Sequence, residues 1–381
     1  MTDIVVTGMA WHTALGHTLP GVWRRLLDGD SGIAPVASTY PLKNDRAARV
    51  ALTNRTTPPD VRDTLDHLTR RTLAAAADHA QLDLSRARSR DAARTLLIVG
   101  TSFGARLDDA RSAAEPLERW IDAIGAESGL ETVALSTACS SGSDALLLGA
   151  ELIRAGLADR CICGGADVLA DSKRLAHSAL GTMSATILRS FDQRHDGTIL
   201  GEGVGFLVLE RRGARPSATP LAVLRGAGSS NDAAGLTAPD SEGNGIRLAV
   251  ERSLTCAGLR HADIGLINAH GSGTLTNDRI ESTAYQALFG GSPTPPTVFA
   301  TKGAFGHTLG ATGALEAIAT ILALQHRVVP PICGLDTPLE GFDLPLPVRE
   351  PRAVDAACAL SLTIGFGGFN TSLIFSTADA R

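Results

Sequence analysis

The sequence predicts an α/β fold of five alternating layers, α-β-α-β-α, built from two related halves. Short apolar runs that suit buried strands alternate with helical patterns along the 381 residues. An apolar run from Val133 leads through Cys139 into helix-spaced apolar residues as far as Ile153. Residues 296–300 lead in the same way through a glycine-rich turn to a helical pattern at 313–324. Two copies of such a unit, packed about a pseudo-twofold axis, would form the five layers.

The first half contains five predicted strands and four predicted helices, separated by glycine turns. The predicted strands are residues 4–8, 95–100, 133–138, 161–166 and 200–210. The predicted helices are residues 22–27, 57–83, 117–124 and the segment after Cys139.

The second half follows a predicted linker at residues 211–219, which contains Gly213 and Pro216. Its predicted strands are residues 221–224, 264–269, 296–300 and the apolar run that follows the glycines at 365–368. Its predicted helices are residues 245–257 and 313–324. We therefore divide the chain into halves of residues 1–215 and 216–381.

The composition excludes several classes of function. A net charge of −5 and an aromatic content of 4% leave no broad basic or aromatic face for nucleic acid. No apolar run approaches the ~20 residues that span a bilayer, and no signal peptide precedes the first strand. Six cysteines without paired spacing predict neither disulfides nor zinc. These features predict a cytoplasmic protein without a metal site or membrane association.

Cys139 is the candidate nucleophile because the sequence places it at a strand-to-helix turn. Free N–H groups and the positive end of the helix dipole at such a turn favour the thiolate, so we expect a pKa below the ~8.5 of a free cysteine. Ser140, Ser141 and Gly142 leave little bulk beside the sulfur, so a thin acyl chain could reach it. The alternative is that Cys139 is a small buried hydrophobic residue.

Three later stretches place polar residues directly after apolar strands, where site residues in α/β folds commonly lie. They are NAHGSGT at 268–274, TKGAFGH at 301–307 and GFGG at 365–368. Together they add two imidazoles, His270 and His307, and the ammonium of Lys302 to the thiol of Cys139. Lys302 is one of only three lysines, so its retention indicates a need for a compact cation.

These motifs, in this order, resemble a known family. TACSSG at 137–142, the histidine and lysine stretches with their Lys-x4-His spacing, and GFGG match the β-ketoacyl-acyl-carrier-protein synthases of the Cys-His-His type. Residues 191–197 and 201–203 match as well, and the resemblance runs from Val5 to Ile374. This family comprises the elongating ketosynthases of bacterial fatty-acid and polyketide assembly, so the resemblance implies a thiolase-like fold.

The resemblance implies a decarboxylating Claisen condensation. Cys139 would accept an acyl group from an acyl-carrier protein, and His270 and His307 would stabilise the enolate formed when malonyl on a second carrier loses carbon dioxide. The backbone N–H groups of Cys139 and Phe366 would form the oxyanion hole. Lys302 would supply fixed positive charge, held by Glu316.

The resemblance also implies binding residues and partners. The hydroxyls of Ser272 and Thr274 would contact the phosphopantetheine arm, and Phe366 would gate the acyl pocket. Arg70 and Arg71 would help to dock the acidic carrier protein. No metal or dissociable cofactor is implied, and a homodimer or a heterodimer with a ketosynthase-like chain-length partner is expected.

The sequence departs from the family pattern at three places. The interval between Thr101 and Cys139 is shorter than in typical relatives, which affects chain-length preference and partner geometry. Ser190 replaces a usual proline, and Phe369 stands where a small hydroxyl residue is common, so it could narrow the pocket. The sequence around Cys139, ACSSG at 138–142, resembles more closely that of synthases in type II polyketide or specialised fatty-acid pathways.

Two other functions remain open from the sequence. One is a non-catalytic, chain-length-determining partner subunit, although such subunits usually lack the nucleophile. The other is acyl transfer without decarboxylation, as in thiolase-like relatives, although the paired histidines favour decarboxylation.

Overall fold

A computed structural model describes residues 3–52, 60–85, 93–104, 108 and 115–379. Ten strands form one sheet: β1 (Ile4–His12), β4 (Thr95–Gly100), β5 (Glu131–Leu135), β6 (Arg160–Asp167), β7 (Gly203–Arg211), β8 (Ala222–Asn231), β9 (Leu266–Asn268), β10 (Thr297–Phe299), β13 (Cys358–Gly365) and β14 (Phe369–Thr377). Two small two-stranded sheets pair β2 (Ile33–Pro35) with β3 (Arg46–Ala48), and β11 (Val328–Val329) with β12 (Arg352–Ala353).

Nine helices accompany these strands in the described part of the chain. They are α1 (Leu19–Leu27), α2 (Val61–His79), α3 (Arg119–Ser128), α4 (Ser141–Arg154), α5 (Asp171–Ala179), α6 (Asn244–Ala257), α7 (Leu275–Phe289), α8 (Lys302–Phe305) and α9 (Thr312–His326). None of these helices combines the length and the hydropathy that crossing a bilayer would require.

The sheet consists of two copies of one five-stranded pattern. The strand order is β10-β9-β13-β14-β8-β1-β7-β6-β4-β5, and the halves meet where β1 pairs antiparallel with β8. Outward from this junction, each half has two antiparallel pairings followed by two parallel ones. The predicted α/β fold with two repeated halves is therefore confirmed.

The helices form layers because alternate residues of each strand face opposite sides. On β4, Ile98 packs in the same cluster as Leu146 of α4, whereas Leu97 packs in the cluster of Leu65 of α2. Helices α4 and α9 contact each other and lie between the two half-sheets, while α2 and α6 cover the outer faces. Gly149 permits the close approach of α4, since a Cβ there would lie 2.2 Å from the sulfur of Cys163.

Several element boundaries differ from the predictions. Strand β4 has the predicted bounds, but β1 continues to His12 because residues 9–12 are also buried. The predicted helix at 57–83 is observed as α2, whose first turn is capped by the side chain of Asp60, and residues 57–59 lie outside the described residues. The patterns missed β13 and α7, because both bury polar residues that interrupt the apolar periodicity.

Candidate active site

The turn that carries Cys139 joins β5 to α4. Residues Ala138–Ser140 form a single 3-10 turn before α4 begins at Ser141. Ala138 has φ 53°, a left-handed conformation that non-glycine residues seldom adopt. This turn places Cys139 at the amino end of α4, as predicted, and its side chain lines a cavity of about 320 Å³.

The cavity brings together residues that are far apart in sequence. Cys139 comes from the first half, whereas His270 follows β9 and His307 follows α8. Ser272, Thr274 and Phe366 line the same cavity. The thiol and both imidazoles proposed from the sequence therefore share one space.

The two imidazoles stand nearly perpendicular, with ring centroids 5.3 Å apart. The N–H of Ile364 donates to Nδ1 of His270 at 3.3 Å, and the N–H of Leu309 donates to Nδ1 of His307 at 3.3 Å. Each neutral ring therefore carries its proton on Nε2. Burial, followed by the charge of Lys302, holds the pKa of both histidines well below 6.5, so both are neutral donors at pH 7.

Lys302 is buried and forms an ion pair with Glu316 on α9. Its ammonium lies 2.5 Å from Oε1 of Glu316 and also donates to the carbonyl oxygen of His270. Burial raises the pKa of Glu316 to about 8, and the Lys302 ammonium opposes that rise. Lys302 thus contacts the backbone of His270 and adds positive charge near both imidazoles.

The GFGG stretch lies against the nucleophile turn. The backbone N–H of Phe366 lies close enough to the sulfur of Cys139 to lower the pKa of its thiol. A Cβ on Gly365 would lie 2.9 Å from the carbonyl oxygen of Thr137 and 3.3 Å from the nitrogen of Cys139, so only glycine fits there. The N–H groups of Cys139 and Phe366 are consequently held on adjoining segments, as an oxyanion hole requires.

The predicted low pKa of Cys139 is wrong. Burial raises the pKa of this thiol to about 12, although the charge of Lys302 and the N–H of Phe366 both favour the thiolate. The side chain is 5% exposed, so loss of water around the sulfur outweighs the helix terminus. The thiol of Cys139 is therefore neutral at pH 7.

This pKa predicts how Cys139 reacts with an alkylating reagent. Because the thiolate fraction grows about tenfold per pH unit below the pKa, we expect the rate of iodoacetamide modification to rise about tenfold per unit from pH 7 to 9. Peptide mass spectrometry at Cys139 measures the rate. A rate already constant above pH 7.5 would show instead that the thiolate is preformed.

The remaining predicted site residues lie outside the cavity lining. The ring of Phe369 packs beside Gly367 at the start of β14 and does not narrow the cavity. On α2, the guanidinium of Arg70 is already paired with Asp66 at 2.7 Å and with Glu127. Arg71 is exposed on the same helix. Of the two arginines, Arg71 is thus the better placed for a docking role.

Sequence reasoning missed Asp144, a half-buried carboxylate in the first turn of α4. It accepts hydrogen bonds from the hydroxyls of Thr137 at 2.5 Å, Ser140 at 3.0 Å and Thr371 at 2.5 Å. Two of these partners flank Cys139, and the third lies on β14. Asp144 therefore connects the turn that carries Cys139 to the second half through hydrogen bonds. Its position five residues after Cys139 was the sequence feature that could have identified it.

We expect Asp144→Ala to slow acylation of Cys139 by about 10- to 100-fold, because three hydroxyls lose their shared acceptor and the strained turn relaxes. The family resemblance assigns carbon dioxide release from malonyl thioester to His270 and His307, so we expect that half-reaction to fall much less. Glu151→Ala, on the exposed face of the same helix, is the control. Equal losses in both half-reactions would indicate general destabilisation.

Two buried carboxylates on α7, Asp278 and Glu281, hold the stretch at 268–274. Glu281 accepts the N–H groups of His270 at 2.7 Å and Gly271 at 2.8 Å, and Asp278 accepts that of Gly273 at 3.0 Å. Burial raises the pKa of Glu281 to about 7. These bonds fix the backbone that carries His270. Within the described residues, no group of three or more His, Cys, Asp or Glu side chains is arranged to hold a metal ion.

Comparison with known proteins agrees with this arrangement. The family model described as "Beta-ketoacyl synthase, N-terminal domain" matches residues 1–114 and 129–214, and the corresponding C-terminal domain matches residues 221–336. The chain belongs to the β-ketoacyl synthase family. It is therefore an acyltransferase of the thiolase superfamily, and the resemblance predicted from the motifs is confirmed.

Individual relatives cover nearly the whole length of this β-ketoacyl synthase. The 3-oxoacyl-[acyl-carrier-protein] synthase 2 of Mycobacterium bovis is 31% identical, and the alignment covers 98% of this chain and 96% of that protein. The ishigamide ketosynthase/chain length factor structure has a TM-score of 0.89 at 28% identity, covering 99% of both chains. One chain of the complex between a ketosynthase and its chain length factor from Xenorhabdus doucetiae has a TM-score of 0.81 at 28% identity, covering 99% of this chain and 98% of that one.

Proposed function

We propose that this β-ketoacyl synthase condenses an acyl thioester with malonyl-acyl-carrier protein and releases carbon dioxide. The single observation that carries the proposal is the shared cavity of Cys139, His270 and His307, with both imidazoles set as Nε2–H donors. One nucleophile and two neutral donors are the groups that this chemistry needs.

In the first half-reaction, the sulfur of Cys139 attacks the acyl carbonyl carbon of a carrier-bound thioester. The carbonyl oxygen becomes an oxyanion, which the N–H groups of Cys139 and Phe366 stabilise. The intermediate collapses with cleavage of the carbon–sulfur bond to the carrier, and the carrier thiol leaves with the proton that Cys139 gave up. The acyl group is then a thioester of Cys139.

In the second half-reaction, malonyl-carrier protein takes the place of the first carrier. The thioester oxygen accepts hydrogen bonds from Nε2–H of His270 and His307, so the electron pair freed by loss of carbon dioxide is stabilised as an enolate. The enolate carbon attacks the acyl carbon on Cys139. Cleavage of the carbon–sulfur bond returns the Cys139 thiolate, which is reprotonated, and releases a β-ketoacyl-carrier protein.

The test uses the purified chain with hexanoyl-carrier protein and malonyl-carrier protein labelled at the free carboxyl. We expect labelled carbon dioxide and 3-oxooctanoyl-carrier protein, identified by mass spectrometry, in equal amounts. Product without carbon dioxide release would instead favour transfer of the thiolase type.

A second role, as a non-catalytic chain-length partner, is less well supported. The chain retains the thiol, both histidines and the buried Lys302–Glu316 pair in one site, which a non-catalytic subunit would not need. The complex of the Xenorhabdus doucetiae ketosynthase with its chain length factor supports a heterodimer as the active form. Activity that appears only after a related chain is added would identify that requirement.

Further features belong to the same proposal. Ser272 and Thr274, whose hydroxyls lie 2.9 Å apart in the cavity, would contact the phosphopantetheine arm. Arg71, with Arg70 beside it, would contribute to carrier docking. We also propose halves of residues 1–215 and 216–381, a cytoplasmic location, no dissociable cofactor, and a type II polyketide or specialised fatty-acid pathway.

A further inference from the structure

A third imidazole, that of His177 on α5, lines the cavity beside Cys139, His270 and His307. Its ring stacks on that of Phe366, with centroids 5.6 Å apart and planes inclined by 19°. Phe366 therefore contacts His177 through its ring, and its backbone N–H lies close enough to the sulfur of Cys139 to lower the pKa of that thiol. The proposed reaction uses neither ring nitrogen of His177.

Thr182 contacts Nδ1 of His177. Its hydroxyl lies 2.9 Å from Nδ1 and 3.2 Å from the carbonyl oxygen of His177. Burial lowers the pKa of His177 to about 4, which keeps the ring neutral. In the tautomer with its proton on Nδ1, the Thr182 hydroxyl accepts the Nδ1–H and donates to the carbonyl oxygen, and Nε2 is a bare acceptor.

This acceptor is available to a ligand. Nε2 of His177 makes no hydrogen bond with any described residue, and it is not among the ring nitrogens sealed inside the protein, such as Nε2 of His12 and of His195. The side chain lines the cavity, and the stack with Phe366 holds the ring in place. A buried acceptor without a partner favours ligands that supply a donor.

We propose that His177 adopts this Nδ1–H tautomer and is a specificity-determining residue whose Nε2 accepts a hydrogen bond from a hydroxyl group on the acyl chain carried by Cys139. The synthase would then prefer a hydroxyacyl donor to an unsubstituted chain of the same length. The acyl chain is the source of the hydroxyl, since His177 lies against Phe366 beside the sulfur, whereas Ser272 and Thr274 are the residues proposed for the pantetheine arm. The inference rests on the proposed function.

The experiment compares three pantetheine thioesters: hexanoyl, 3-hydroxyhexanoyl and 5-hydroxyhexanoyl. Intact-protein mass spectrometry gives the rate at which each acylates Cys139. We expect the wild type to react faster with at least one hydroxyacyl donor than with hexanoyl. His177→Phe keeps a flat ring opposite Phe366 but removes the acceptor, so it should lower the hydroxyacyl-to-hexanoyl rate ratio by about 5- to 10-fold. Thr182→Val, which frees the proton to move to Nε2, should lower the same ratio partly.

The ratio separates specificity from other roles. The three donors share the pantetheine arm, so a contact with the arm or a purely structural role would slow all of them and leave the ratio unchanged. An unchanged ratio in His177→Phe, or no hydroxyacyl preference in the wild type, overturns the inference. If the proposed function itself is incorrect, the result differs, because none of the three thioesters would then acylate Cys139 in any variant.

Discussion

Replacing Cys139 with alanine should abolish formation of the acyl-enzyme and reduce condensation by at least about 1000-fold, because no other group in the cavity can form the thioester. Carbon dioxide release from malonyl-carrier protein should persist, since the proposed mechanism assigns it to His270 and His307 rather than to the sulfur. Incubation with hexanoyl-carrier protein, followed by intact-protein mass spectrometry, measures the acyl-enzyme directly.

Cys256→Ala provides the matched control, since this half-buried thiol lies on α6 and away from the cavity lining. It should acylate at the wild-type rate. Condensation that continues undiminished in Cys139→Ala would contradict the assignment of the nucleophile. A parallel loss of carbon dioxide release would show that the variant had damaged the whole cavity.

Replacing Lys302 with methionine should lower the free energy of unfolding more than the other single substitutions described above, because it leaves the carboxyl of Glu316 buried without its cation. Breaking such a pair lowers the free energy of unfolding by about 3–5 kcal/mol when the remaining group is charged. Both side chains of the pair are 2% exposed, so water cannot replace the ammonium. Urea unfolding at several pH values measures the change.

The loss should depend on pH in a defined direction. Burial raises the folded-state pKa of Glu316 to about 8, above its ordinary value of 4.5, so protonation of Glu316 is easier in the folded protein than in the unfolded chain. Stability from this group is present below pH 4.5 and is lost as the pH rises through about 8. Without Lys302 the pKa rises further, so the difference from the wild type should be larger at pH 9 than at pH 6.

The double variant Lys302→Met, Glu316→Gln tests the pairing itself. Removing both charges should recover much of the lost stability and abolish the additional loss at pH 9. Equal destabilisation in the single and double variants would mean that packing, rather than the unpaired carboxylate, sets the effect.

Much of the fold followed from patterns of residues close together in the chain. The strand at 95–100 and the helix after Cys139 follow from apolar periodicity, which depends on local geometry. Strand β13 and helix α7 escaped this reasoning, because the polar side chains of Ser361, Asp278 and Glu281 are buried there by partners elsewhere in the chain. No local pattern distinguishes a buried, bonded carboxylate from an exposed one.

The candidate site was likewise predicted only in part from the sequence. By itself, the sequence determined the order of the motifs, the family, and the candidates Cys139, His270, Lys302 and His307, because each follows a recognisable apolar strand or glycine turn. It also placed Cys139 at a helix terminus. Their roles in the reaction remain predictions that the experiments above would test.

The tertiary structure alone decided the chemical state of those groups. Burial reversed the expected shift in the pKa of Cys139, and packing of the two halves gave Lys302 its partner Glu316. The same packing brought Thr371 to Asp144 beside the nucleophile turn and His177 to the face of Phe366. The pKa of a group and its hydrogen bonds depend on which distant residues exclude water from it, and that is fixed only when the whole chain has folded.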